Sequence, residues 1–186
     1  MKYLDALIIG AGFSGLYQLH CLRDKLKLNT LVVEEGKDIG GTWYWNTYPG
    51  ARCDSESFTY GFTFSEKIFK NWTWKERYPK QNVILKYLKY FSHELKLKKN
   101  IVFNEKVISA KYIEKNNLWK VQTNNKKKYY TKYLICAVGS LSSINLPKIK
   151  GINQFRGQLH HSGRWPKKKI NYKNKIVGQV GTGSTC

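Results

Sequence analysis

Apolar positions along the 186-residue chain fall into short blocks, and their spacing changes along the chain. Residues 4–9 are a nearly continuous apolar run ending at Gly10, the pattern of a central parallel strand buried on both faces. Residues 14–26 carry Leu16, Leu19 and Leu22 at helical spacing, and residues 30–33 are again β-branched and apolar, so the order strand, helix, strand predicts a βαβ unit. Residues 56–80 are dense in aromatics (Tyr60, Phe62, Phe64, Phe69, Trp72, Trp74) without a clear period, which predicts an irregular lid. Residues 81–97 place Ile84, Leu88, Phe91 and Leu95 on one stripe, predicting an amphipathic helix with lysines outward and His93 off the stripe. A short strand is expected at 101–103. A small antiparallel meander follows at 106–112, 119–123 and 128–133, turning at Asn116-Asn117 and Asn124-Asn125. A further buried strand is expected at 134–138, a linker begins at Pro147, and residues 175–180 predict one more strand running into Gly181.

Glycines punctuate this pattern at both ends. Gly10-x-Gly12-x-x-Gly15 sits at the first strand-to-helix turn: Gly10 permits the turn, Gly12 lets backbone approach a pyrophosphate, and Gly15 allows close helix–strand contact. The helix N-terminus, with Ser14 in its first turn, offers N–H donors to phosphates. Glu34, 19 residues beyond Gly15, closes the second strand where a carboxylate can accept from a ribose hydroxyl; its neighbour Glu35 competes for that role. Strand, helix and acid together predict a Rossmann-like dinucleotide site in an α/β fold with a parallel sheet. Gly181-Thr182-Gly183-Ser184 begins a second such turn, but Cys186 stands where its third glycine would be.

Composition and charge narrow the classes. With 41% hydrophobic and 15% aromatic residues the chain can bury a core. The formal net charge of +21 would on its own suggest nucleic acid, yet the lysines are scattered and accompany no nucleic-acid motif, so none is expected as partner. Lys126 to Lys128 and Lys167 to Lys169 read as solvated turns. Cys21, Cys53, Cys136 and Cys186 lie far apart, as in reduced cytoplasmic thiols, and suggest neither a disulfide frame nor a metal site. No stretch is long and apolar enough for a bilayer.

Two further strings carry the chemistry. Residues 40–54 read G-G-T-W-Y-W-N-T-Y-P-G-A-R-C-D, whose adjacent glycines and aromatics suit close passage of backbone past a flat ring. Phe155, Gly157, His161, Trp165 and Pro166 fit F-x-G-x-x-x-H-x-x-x-W-P. Together with the two glycine turns these strings resemble the Baeyer–Villiger monooxygenases, and the resemblance spans nearly the whole chain. It implies FAD on one Rossmann domain and NADPH on another, and oxygenation of a ketone by O2 to an ester or lactone through a C4a-peroxyflavin. It implies that Gly41, Thr42 and Trp43 border the FAD, with Tyr60 and Val107 as further contacts. By the same likeness Arg52, Cys53 and Asp54 approach the nicotinamide cofactor, and Asp54 holds an active-site arginine found only in a later part of the family sequence. Gly181, Gly183 and Ser184 would begin the NADPH site, and His161 and Trp165 would link the domains. Thr47 departs from the family's usual arginine. The expected division is an FAD-binding domain at 1–146, a linker at 147–174 and the truncated start of an NADPH-binding domain at 175–186, a fragment inactive alone. The alternatives are a monooxygenase that oxidises nitrogen or sulfur, whose linker usually lacks the Trp-Pro ending, and a non-catalytic FAD-binding or basic nucleic-acid-binding module.

Overall fold

A computed structural model describes residues 2–183. β1 (Lys2–Ile9), β2 (Thr30–Val33) and β3 (Ile101–Val102) pair in parallel, and β1 pairs in parallel on its other edge with β6 (Lys128–Cys136). β4 (Val107–Ile113) and β5 (Leu118–Thr123) extend the sheet antiparallel from β6. The result is one six-stranded mixed sheet in the order β3-β2-β1-β6-β5-β4. β1 and β2 bury side chains on both faces, as the apolar runs of β2 and of the second half of β1 require.

Successive residues of a strand point to opposite faces, and the core divides accordingly. Ile8 and Val32 meet Leu16 and Leu19 of α1 (Phe13–His20) and Ile84, Leu88 and Phe91 of α4 (Gln81–Glu94). Leu7, Leu31 and Val33 turn the other way and pack with Val121 and Tyr129 of β5 and β6. α1 continues as a π-helical turn, Cys21–Lys25, closed by Leu26 N–H donating to Cys21 O. From it Arg23 reaches the end of α4, donating to Leu95 O at 2.7 Å and to Asn100 Oδ1 at 3.1 Å.

Three expectations change. The strands expected at 128–133 and 134–138 are one strand, β6. Its residues 128–131 pair with β5 while 129–136 run beside β1, so the meander is an arm of the main sheet. The aromatic residues 56–80 form the expected, mostly irregular cover, and it is well packed: Phe62 lies 4.1 Å from Phe91 between ring centroids, Trp72 and Trp74 pack on Tyr87, and only Glu66–Lys70 forms a short helix, α3. Lys126 and Lys127 stand exposed in the turn before β6 as expected, the Lys127 ammonium also pairing with the buried Glu105 carboxylate, whereas Lys128 already begins β6. Residues 175–180 form no strand: Ile176, Val177 and Val180 are exposed, and no described residue provides the neighbouring ladder that a strand needs.

Candidate functional site

The β1–α1 turn is closed by contacts only glycine permits. A Cβ on Gly10, whose φ is +100°, would lie 2.5 Å from Ala137 O, and one on Gly15 would lie 1.9 Å from Gly10 O. α1 starts at Gly12 with no side-chain cap, so its first-turn N–H groups, Ser14 among them, lack intrahelical partners. Glu34, just past β2, turns its buried carboxylate into this corner. Oε2 accepts from Ala11 N–H at 2.6 Å and Oε1 from Gly36 N–H at 2.7 Å. Glu35 points outward to Lys106 at 3.3 Å, so Glu34 alone of the two acids reaches the turn. Val107 begins β4 close by, its segment held by Glu105 N–H donating to Glu34 O at 2.9 Å and Asn104 N–H to Gly36 O at 3.0 Å.

Within the string 40–54 a single helical turn forms, α2 (Thr42–Trp45). Gly40 N–H donates to Ala11 O at 2.9 Å, and a Cβ on Gly41 would lie 2.8 Å from Gly12 Cα, so α2 leans directly on the glycine turn. Trp43 is buried; its indole N–H donates to Tyr60 Oη at 3.1 Å and its carbonyl accepts from the Gln81 amide. Burial pushes the Tyr60 phenol up, the Trp43 N–H partly offsets this, and Cys53 and Asp54 push the same way as burial. Cys53 is buried, with its N–H donating to Pro79 O at 2.9 Å, whereas Arg52 and Asp54 are exposed beside it.

The F-x-G-x-x-x-H-x-x-x-W-P fingerprint segment, Phe155 to Pro166, folds back on α2. His161 Nδ1 accepts from Gly163 N–H at 3.0 Å and so caps the 3-10 turn Ser162–Arg164, while Phe155 covers Gly157, where a Cβ would come within 2.4 Å of the ring. Trp165 and Pro166 are half-buried. The Arg164 guanidinium sits 5.1 Å over the Trp45 ring and the Lys167 ammonium 5.1 Å over Tyr44. Gly181, at φ +118°, and Gly183 stand exposed, and Ser184 lies outside the described residues.

A family model described as flavin-binding monooxygenase-like matches residues 5–186. The chain belongs to this family. A Baeyer-Villiger monooxygenase of Pseudooceanicola batsensis is 44% identical over 181 residues, covering 97% of this chain and 33% of the relative. A phenazine N-monooxygenase of Lysobacter antibioticus is 40% identical over 183 residues, covering 98% and 34%. The solved structure of a cyclohexanone monooxygenase from Rhodococcus sp. Phi1 bound to NADP+ superposes with a TM-score of 0.86 at 40% identity, over 91% of this chain and 32% of that one. The chain thus spans about a third of the length of the relatives it matches.

The first turn of this flavin-binding monooxygenase-like chain fits an FAD. The Gly12–Gly41 approach leaves no room for a Cβ on Gly41, which would lie 2.8 Å from Gly12 Cα, and N–H groups without intrahelical partners open α1. Each Glu34 oxygen keeps a lone pair for a ribose hydroxyl. Residues 175–183 do not form a matching cradle for NADPH among the described residues. Ala11, Gly36 and Gln81 escaped the sequence reading, whereas Tyr44 and Trp45 belong to the aromatic string it singled out. Gly36, two residues after Glu34, was the one with a visible signal. Among the described residues no helix is long and apolar enough to cross a membrane, and no group of three His, Cys, Asp or Glu could hold a metal ion.

Proposed function

We propose that the whole protein is an FAD- and NADPH-dependent Baeyer–Villiger monooxygenase, and that this chain provides its FAD-binding domain (1–146), its linker (147–174) and the start of its NADPH-binding domain (175–186). One oxygen atom of O2 enters the bond beside a ketone carbonyl, giving an ester or lactone. The other leaves as water, with NADPH as the source of the electron pair. The observation that carries this reading is the segment from Phe155 to Pro166, ending in Trp-Pro, folded onto α2 next to an FAD-type glycine turn.

FAD, when bound, supplies the electron transfer and the oxygen activation. The chain's own residues bind and orient. The first turn of α1 receives the pyrophosphate, Glu34 receives the ribose, and the backbone at Val107 flanks the adenine. Gly41, Thr42 and Trp43 pass the ring, with Tyr60 bracing Trp43. Asp54, exposed and negative at the edge of this wall, is placed to hold an arginine from elsewhere in the protein. The reduced state of Cys21, Cys53 and Cys136 suits a cytoplasmic protein. A ketone and O2, with no nucleic acid, are the expected partners.

The phenazine N-monooxygenase relative favours a second reading, oxidation of nitrogen in a soft nucleophile. Trp165-Pro166 supports the ketone over it.

The test is to purify the 186-residue chain with FAD and with NADPH and a cyclic ketone. Flavin absorbance co-purifying with the chain, its fluorescence quenched on the aromatic wall, is expected, and Glu34→Gln should weaken this binding. NADPH oxidation coupled to ketone consumption is not expected from this chain alone. Absence of flavin binding would overturn the reading of the glycine turn, and coupled turnover would overturn the division of labour. Product analysis with the whole protein, an ester or lactone against an N-oxide, separates the two oxygenation classes.

A further inference from the structure

We infer that the outer face of α2, made by Tyr44 and Trp45, is a docking surface for the fingerprint segment, and that its engagement is linked to flavin occupancy of the glycine turn. The second half rests on the FAD reading above; the first does not.

α2 is four residues long and has two sides. On the inner side Gly41 abuts Gly12, and Trp43 is fixed by Tyr60 and Gln81. On the outer side the Tyr44 and Trp45 rings stand edge to face, 4.9 Å apart at 89°, and present two π-faces in different directions. Each face carries one cation of the segment: Arg164 over Trp45 and Lys167 over Tyr44. The Tyr44 hydroxyl also accepts from Lys167 Nζ at 3.3 Å and from Lys37 N–H at 3.2 Å. Between the two cations lie only Trp165 and Pro166, and proline's fixed φ limits how far their spacing can drift.

Tyr44 also reaches the acid corner. A Cβ on Gly36 would lie 2.9 Å from both Tyr44 Cε1 and Glu34 Oε1, so one ring fills the space between the ribose-directed acid and the linker lysine. A single helical turn cannot reorient its inner residues while its outer ones stay in place. A ligand that immobilises Gly41 to Trp43 and Glu34 therefore immobilises the docking face, and by linkage a seated segment raises affinity for that ligand by the same factor.

Limited trypsin digestion at Lys167 to Lys169 reads the docking directly, on the 186-residue chain with and without FAD. Without FAD, Trp45→Leu and Tyr44→Leu should be cut faster by roughly two- to five-fold, the equilibrium value of one exposed cation–π contact. Arg164→Gln, on the exposed linker and harmless to the core, should behave alike, whereas Arg164→Lys should keep most of the protection. With FAD, wild-type cleavage should slow, and Trp45→Leu should raise the FAD Kd by the factor by which it loses that slowing. Equal cleavage of wild type, Trp45→Leu, Tyr44→Leu and Arg164→Gln without FAD would overturn the docking surface. FAD binding that leaves wild-type cleavage unchanged would overturn the linkage. A chain that binds no FAD would overturn the functional reading and the linkage, while the digestion without FAD would still decide the docking.

Discussion

At the scale of single residues, the candidate site depends on carboxylates that sequence spacing reveals unequally. Glu34 was legible because an acid closing the second strand of a βαβ unit has a recurrent job. That Glu35 faces away was not, since a one-residue slip exchanges the two sides of a strand end. Glu34→Gln would set an amide donor against the Ala11 or Gly36 N–H, so it should cost about 1–3 kcal/mol of stability in urea unfolding as well as weakening FAD binding. An unchanged midpoint would mean the carboxylate does not hold the turn. Glu105 was illegible altogether, for its partners Lys127 and Tyr129 lie 22 and 24 residues away and meet it only when β4 and β6 line up on either side of β5. Burial, reinforced by the Glu105 carboxylate that accepts its O–H at 2.9 Å, pushes the Tyr129 phenol from 10.0 to about 12. A phenol raised in the folded state holds its proton more tightly there than in the unfolded chain. Its contribution to stability is therefore complete below pH 10 and is lost as pH rises toward about 12. Tyr129→Phe should flatten that part of the stability–pH curve relative to wild type, as read by urea midpoints on either side of the window. Parallel curves would refute the assignment.

Elements were legible where one face is buried and the pattern repeats. The stripe Ile84, Leu88 and Phe91 foretold α4, and Leu16 with Leu19 foretold α1, because both helices pack one face on the sheet. β6 was read as two strands, 128–133 and 134–138, because polar and aromatic residues mix in the first stretch while the second is apolar. In the fold the chain loses β5 as a neighbour after Thr131 but keeps β1. α2 was missed since four residues carry no period. The join between α1 and α4 was hidden too, because it runs through Arg23, an apparently ordinary surface cation. Arg23 clamps Asp24 and donates to the carbonyls of Leu95 and Lys96 that end α4. Hydrogen bonding from Arg23, ahead of opposing burial and the contribution of His20, holds the Asp24 carboxyl below its usual value. Arg23→Ala should cost about 1–3 kcal/mol in chemical denaturation, loosen amide protection at the end of α4, and let the Asp24 carboxyl titrate upward by NMR.

At the scale of the whole molecule, protection should fall along the chain in the order in which backbone groups lose partners. β1 has a hydrogen-bonded neighbour on both edges and apolar packing on both faces, so its amides open only with global unfolding. The segment around Arg164 is held by side-chain contacts to α2 and by one capped turn, so it opens locally at lower cost. Residues 175–180, legible as a strand from their apolar residues, expose Ile176, Val177 and Val180 and pair with no described strand. A parallel strand is made by its neighbours more than by its own sequence, which is why that expectation failed while the same kind of run in β1 succeeded. The net charge of +21 works against ordering this stretch, with Lys167, Lys168, Lys169, Lys173 and Lys175 repelling one another at low salt. Hydrogen exchange should accordingly show β1 and β2 slowest, the fingerprint segment intermediate and further slowed by FAD, and residues 175–180 close to the rate of an unstructured peptide. Protection of 175–180 comparable to β1 would show that the stretch finds a strand partner in solution, and that the parallel ladder extends beyond the six strands seen here.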